Sequence, residues 1–188
     1  MAVGLLGGAF DPPHNGHVAL ARAAIDALGL ERLLVLVVVD PGHKGVATPA
    51  PTRLELARLA FRDVPRTEVE LDPHARTVDS LEALRIDDPV FVLGADEFVD
   101  FPGWKEPERV LELARLAVAQ RPGVPDERMR ETHERLSAPG RISYFDLSPV
   151  PVSSTLVRER VSRGEPIDDL VPPAVAEAVA RLGLYASD

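Results

Sequence analysis

Gly7-Gly8-Ala9-Phe10-Asp11-Pro12-Pro13-His14-Asn15-Gly16-His17 stands between two patterned segments of the chain. Upstream, Val3 to Phe10 reads as a strand that ends in the glycine pair. Downstream, Val18 to Leu28 carries an Ala/Leu/Ile-rich helical pattern closed by Gly29. Strand, glycine turn and helix form the opening unit of an α/β fold.

The rest of the chain repeats that unit. Leu33 to Val39 is an apolar, β-branched run of the kind a strand shows when a parallel sheet buries both its faces. Thr52 with Glu55 makes a capping box, which predicts a helix through about Phe61 with Leu54, Leu56, Leu59 and Ala60 along its apolar face. Glu68 to Leu71, Val90 to Leu93, Leu116 to Gln120 and Ile142 to Leu147 read as further strands. Val78 to Leu84, Pro107 to Leu113, Asp126 to Leu136, Ser154 to Arg163 and Pro173 to Leu182 read as helices. This alternation predicts a Rossmann-like, doubly wound, mostly parallel sheet with helices on both faces. It is expected as one domain over residues 1–188, with residues 150–188 forming a helical segment packed on it. Ligands of such sheets bind beyond the strand C-terminal ends, so the loops that follow strands are where chemistry is expected.

Composition narrows the function. With 188 residues, 45% of them hydrophobic and 27% charged, the chain has the make-up of a single globular domain rather than a disordered or fibrous one. It has no cysteine, which removes disulfides, thiolate metal sites and Cys nucleophiles. A formal charge of −9 and a pI near 5.1 argue against a polynucleotide-binding surface, yet a local positive pocket for a small phosphorylated ligand is compatible with them. The longest strongly apolar run falls far short of the roughly 20 residues that span a bilayer, and the N-terminus has no leader pattern, so no membrane partner and a cytoplasmic location are expected. Nothing in the sequence signals an oligomeric state.

Two strings carry the chemistry. In the first, His14 and His17 sit at the start of a helix behind a glycine turn. Helix N-terminal amides favour phosphate, glycines let the backbone approach it, and imidazoles can hydrogen-bond charge developing in phosphoryl or nucleotidyl transfer. Read in isolation, the pair is equally a helix cap plus a surface histidine. In the second, Val152-Ser153-Ser154-Thr155-Leu156-Val157-Arg158 places three hydroxyls at a helix start with an arginine one turn on. Alone it reads as an ordinary Ser/Thr cap followed by a solvated Arg, or as an anion site.

Taken whole, the first string resembles the Gly-x-Phe-Asp-Pro-x-His-x-Gly-His signature of nucleotidyltransferases that share a His-Ile-Gly-His-like site with class I aminoacyl-tRNA synthetases. The second resembles the Ile-Ser-Ser-Thr-x-x-Arg segment of the same superfamily. Further matches are Gly94-Ala95-Asp96 followed by Phe98, Phe101 and Trp104, Asp40-Pro41-Gly42-His43-Lys44, Arg121-Pro122-Gly123, and Leu170-Val171-Pro172 to Tyr185. With them, essentially the whole chain resembles the bacterial nicotinate mononucleotide adenylyltransferases.

The resemblance implies AMP transfer from ATP to nicotinate mononucleotide, giving deamido-NAD and pyrophosphate in NAD biosynthesis. It implies catalytic roles for His14, His17 and Arg158, and an ATP site formed by Gly8, Ala9, Phe10, Gly16, Gly94, Asp96, Ser153, Ser154 and Thr155. Lys44, Thr77, Trp104 and Arg121 are implied at the mononucleotide, Lys44 and Arg121 at its phosphate and Trp104 stacked on the pyridine ring, and Arg76 is expected beside them on its own chemistry. Core packing is the alternative reading of Trp104. Magnesium is expected to arrive with ATP, and Asp11 is expected to brace the glycine turn rather than to hold a metal.

Two stretches depart from the family pattern. Ala75-Arg76-Thr77 stands where the family has Ser-Tyr-Thr, and Gly42 follows Pro41 where it has a second proline. Arg76 reads either as a partner for a nicotinate carboxylate or as a solvated loop residue. Competing functions are adenylyl transfer to nicotinamide mononucleotide or phosphopantetheine, and nucleotide binding without turnover.

Overall fold

The computed structural model describes residues 2–42, 45–120 and 126–186. Six strands form one sheet: β1 (Val3–Gly8), β2 (Arg32–Val38), β3 (Thr67–Asp72), β4 (Val90–Gly94), β5 (Arg115–Gln120) and β6 (Ile142–Asp146). Their order is β3-β2-β1-β4-β5-β6, and all five pairings are parallel. The expected mostly parallel, doubly wound sheet is therefore parallel throughout its described strands.

Strand periodicity explains why the β2 run is continuously apolar. Leu33, Val35 and Val37 belong to one core cluster, and the intervening Leu34 and Leu36 to the other. The first cluster is closed by α1 (Asn15–Leu28), α2 (Ala50–Phe61), α7 (Ser154–Ser162) and α8 (Pro173–Arg181), through Leu20, Ala24, Leu56, Ala60, Val157, Val175 and Val179. The second is closed by α3 (Thr77–Leu84), α4 (Ala95–Asp100), α5 (Pro107–Leu113) and α6 (Glu127–Arg135), through Leu81, Phe98, Val110 and Met129. No described helix is long and apolar enough to cross a membrane.

Helix starts differ from the sequence reading in two places. The Thr52 capping box does not form. Pro49 is the N-cap of α2, proline at the first turn sets the helical φ, and Thr52 lies inside the helix. Consequently the buried face is Arg53, Leu56, Ala57, Ala60 and Phe61, while Leu54 and Leu59 are only half-buried. At the first string, α1 begins at Asn15 rather than Val18, with His14 as N-cap, and ends as expected at Gly29, which takes the left-handed φ of +59°. A short α4, absent from the sequence reading, follows β4 directly.

The sheet positions the site through its order. The chain winds outward from β1 through β2 to β3, then crosses to β4 on the other side of β1. The loop after β1 leads to α1 on one face and the loop after β4 leads to α4 on the other, so the strand order reverses between β1 and β4, the place where ligands of such sheets bind.

Candidate active site

The turn after β1 combines a left-handed Phe10 (φ +50°) with a cis Asp11–Pro12 bond. Phe10 turns its ring inward, 2% exposed, where it meets Phe61 and His17 edge-on at 5.7 and 4.9 Å. Its side chain is thus part of the core. A Cβ on Gly8 would stand 3.0 Å from that ring, so glycine here makes room for Phe10.

His14 and His17 stack with ring centroids 3.6 Å apart. The main-chain N–H of His14 donates to His17 Nδ1 at 3.2 Å, fixing which nitrogen of His17 is the acceptor. His14 is 8% exposed, and its Nδ1 is buried with no hydrogen-bond partner among the described residues. Burial lowers its pKa to about 4, so the imidazole is neutral at physiological pH and offers hydrogen bonds rather than charge. Gly16 supplies the space: a Cβ there would lie 3.1 Å from His14 Nδ1 and 3.3 Å from Val152.

The second string meets the first at this turn. Arg158 donates to the Asp11 carbonyl at 2.7 Å and to Thr155 Oγ1 at 3.3 Å, and Ser154 Oγ donates to the Pro12 carbonyl at 2.8 Å. Ser153 caps α7 by accepting from the Leu156 N–H at 3.1 Å. The three hydroxyls therefore serve the protein itself, and what the string offers an anion is the α7 N-terminus and the Arg158 charge. The α1 terminus is partly spent as well, since the Asn15 N–H donates to the Leu170 carbonyl at 2.9 Å.

Gly94 is the N-cap of α4, where its N–H donates to Glu97 Oε2 at 3.0 Å, and Asp96 is exposed in the first turn beside it, following the strand next to β1. Thr77 opens α3 and Arg76 is its N-cap. Trp104 is half-buried and edge-on to Phe101 and Phe91 at 5.3 and 6.0 Å. Lys105 bonds Asp79 at 2.7 Å and so ties the Trp104 segment to the first turn of α3. Lys44 and Arg121 lie outside the described residues.

Three residues that sequence reading did not single out, or read differently, hold this arrangement together. Arg53 is fully buried and donates to four main-chain carbonyls: Ala9 (2.7 Å), Val38 (2.8 Å), Val39 (2.8 Å) and Thr48 (2.9 Å). Its sequence signal was an arginine at helical spacing from Leu56, Ala57 and Ala60, where the pattern calls for an apolar residue. Asp11 accepts from the Ala47 N–H (2.5 Å) and the Tyr185 hydroxyl (2.7 Å), so it braces the turn through two distant segments, the loop before α2 and the C-terminal segment, that its sequence neighbours do not reveal. Asp72, at the end of β3, accepts from Ser80 Oγ at 2.5 Å and holds His74. Among the described residues no group of three or more His, Asp or Glu side chains converges as a metal site.

A family model described as cytidylyltransferase-like matches residues 5–160. The chain is 38% identical to a probable nicotinate-nucleotide adenylyltransferase of Thermus thermophilus, over 98% of this chain and 100% of that protein. It is 34% identical to the probable nicotinate-nucleotide adenylyltransferase of Rubrobacter xylanophilus, over 100% of this chain and 94% of that one. Among solved structures, the nicotinic acid mononucleotide adenylyltransferase of Plasmodium falciparum complexed with NaAD superposes with a TM-score of 0.79 at 16% identity, covering 98% of this chain and 97% of its own, a likeness of fold. Matched along its whole length in sequence, and in fold by a solved structure, the chain belongs to the nicotinate-nucleotide adenylyltransferase family of cytidylyltransferase-like proteins.

Proposed function

We propose that the protein joins nicotinate mononucleotide to the adenylyl group of ATP, making deamido-NAD and pyrophosphate in the cytoplasm. The observation that carries this reading is the meeting of the two strings at one turn, where Arg158 and Ser154 hold the carbonyls of Asp11 and Pro12 directly ahead of His14. The mononucleotide 5′-phosphate oxygen attacks the α-phosphorus of ATP, one P–O bond forms, and the bond to pyrophosphate breaks. That phosphate is already ionised near neutral pH, so no general base is needed and catalysis is positioning plus charge stabilisation.

His14, His17 and Arg158 take the transferring and departing phosphates, with charge from Arg158 and hydrogen bonds from the neutral His14. The backbone at Gly8, Ala9, Phe10 and Gly16 lines the ATP side, Gly94 and Asp96 the adenosine, and the α7 start at Ser153, Ser154 and Thr155 the triphosphate. Thr77, Trp104 and Arg76 line the pyridine wall, with Lys44 and Arg121 at the mononucleotide phosphate. Magnesium comes as part of the MgATP substrate, held by phosphate oxygens and water. Both oxygens of Asp11 are engaged in hydrogen bonds within the protein, in keeping with a metal carried by substrate rather than by a protein cage.

The test is pyrophosphate release from MgATP with nicotinate mononucleotide, nicotinamide mononucleotide or phosphopantetheine offered separately. Preference for the first is expected. Turnover of phosphopantetheine alone, or ATP binding without turnover, would replace this reading.

A further inference from the structure

The two positions that depart from the family pattern lie side by side. Gly42 has φ +62°, with its N–H donating to Asp40 Oδ1 at 2.9 Å, and a Cβ placed on it would lie 3.6 Å from both Nη1 and Nη2 of Arg76. The Arg76 guanidinium thus lies against bare backbone of the loop between β2 and α2. Proline, whose φ is locked near −65°, could not hold that backbone.

Arg76 is fixed at its root and uncommitted at its tip. As N-cap of α3 its carbonyl accepts from the Ser80 N–H at 3.1 Å. Ser80 in turn donates to Asp72 Oδ2, whose other oxygen accepts the His74 N–H at 3.0 Å, so the segment is pinned on both sides of residue 76. The neighbouring carboxylates already have partners: Asp40 the Gly42 N–H, Asp72 His74 and Ser80, and Asp79 Lys105. Among the described residues the Arg76 guanidinium has no hydrogen bond or ion pair of its own. The Lys105–Asp79 pair ties the segment that carries Trp104 to the first turn of the helix that Arg76 caps.

We propose that Arg76, seated on Gly42, selects the acid mononucleotide by pairing its planar fork with the pyridine carboxylate. The proposal rests on the functional reading above and deepens it. A carboxylate accepts both N–H groups of such a fork and balances its charge, whereas a carboxamide presents one acceptor, two donors and no charge.

The test compares wild type with Arg76→Gln and Arg76→Lys, measuring kcat/KM for nicotinate and nicotinamide mononucleotides at saturating MgATP. Arg76→Gln should lower kcat/KM for the acid roughly 10- to 100-fold through KM, leave the amide within about threefold, and leave the KM for ATP unchanged. Arg76→Lys, which keeps the charge without the fork, should recover only part of the loss. If the wild type turns over a mononucleotide and Arg76→Gln leaves the acid-to-amide ratio unchanged, this proposal falls and the functional reading stands. If the wild type uses neither mononucleotide, the functional reading falls and takes this proposal with it.

Discussion

The hydroxyl of Tyr185 donates to Oδ1 of Asp11 across 2.7 Å, joining residues 174 apart in the chain. The same hydroxyl accepts from Thr48 Oγ1 at 3.0 Å, and Asp11 Oδ2 accepts from the Ala47 N–H at 2.5 Å. Three distant segments therefore meet on one carboxylate three residues ahead of His14. Burial is the main reason the Tyr185 pKa is pushed up, so the phenol keeps its proton and remains a donor.

Tyr185→Phe removes this bridge while preserving the ring. The expected cost is about 1 kcal/mol of stability, the net worth of an ordinary hydrogen bond, with turnover reduced severalfold as the turn loosens. Urea unfolding and pyrophosphate release measure the two effects. Wild-type values in both would mean that the bridge does not position the turn.

Arg53→Met should be far more damaging. It leaves the carbonyls of Ala9, Val38, Val39 and Thr48 without their donor in the interior, and a loss of about 3 kcal/mol or more is expected. Arg53→Lys should not restore it, because a single ammonium cannot reach acceptors arranged around a planar fork. Equal stability of wild type and Arg53→Lys would contradict this.

His14 gives the stability curve a predictable slope. Its pKa is about 4 in the folded protein, lowered from 6.5 by burial. Between pH 6.5 and 4 the unfolded chain binds a proton that the folded chain does not, so stability rises with pH through this window and falls on acidification, by at most about 3 kcal/mol. His14→Gln should flatten that part of a urea-midpoint profile against pH. Parallel profiles for the two proteins would assign the acid sensitivity to other groups.

His17→Ala is expected to reduce kcat about 100- to 1,000-fold with the circular dichroism spectrum unchanged, because it deletes a hydrogen bond to developing charge rather than core volume. Unaltered kinetics would remove His17 from the catalytic set.

Trp104→Ala should raise the KM for the mononucleotide more than that for ATP. The indole packs edge-on to Phe91 and Phe101 yet is only half-buried, so it is not committed to the core. Equal changes in both constants would make packing its whole role.

Most of the fold was legible because its signals are local. The continuous apolar run of β2, the glycine pair ending β1 and the proline opening α5 each depend on a few consecutive residues. Where a local signal failed, a stronger neighbour prevailed: Pro49 and Pro51 started α2 before the Thr52 cap could act, and the His14 N-cap drew α1 three residues upstream. The site was legible only in part. His14, His17 and Arg158 stand in strings whose spacing carries meaning, whereas the hold of the Ser154 hydroxyl on the Pro12 carbonyl joins residues 142 apart and has no local signal.

The sequence alone determined the alternation of strands and helices, the parallel sheet that follows from it, and the two strings whose resemblance to a known family implies phosphate chemistry. Periodicity and turn chemistry act over a few residues and can be read in one dimension. The tertiary structure alone decided that Arg53 gathers carbonyls from separate loops, that Tyr185 closes on Asp11, and that Gly42 lies beneath Arg76. Hydrogen-bond geometry and burial depend on which distant segments the folded sheet brings within about 3 Å of one another, and no spacing along the chain encodes that distance.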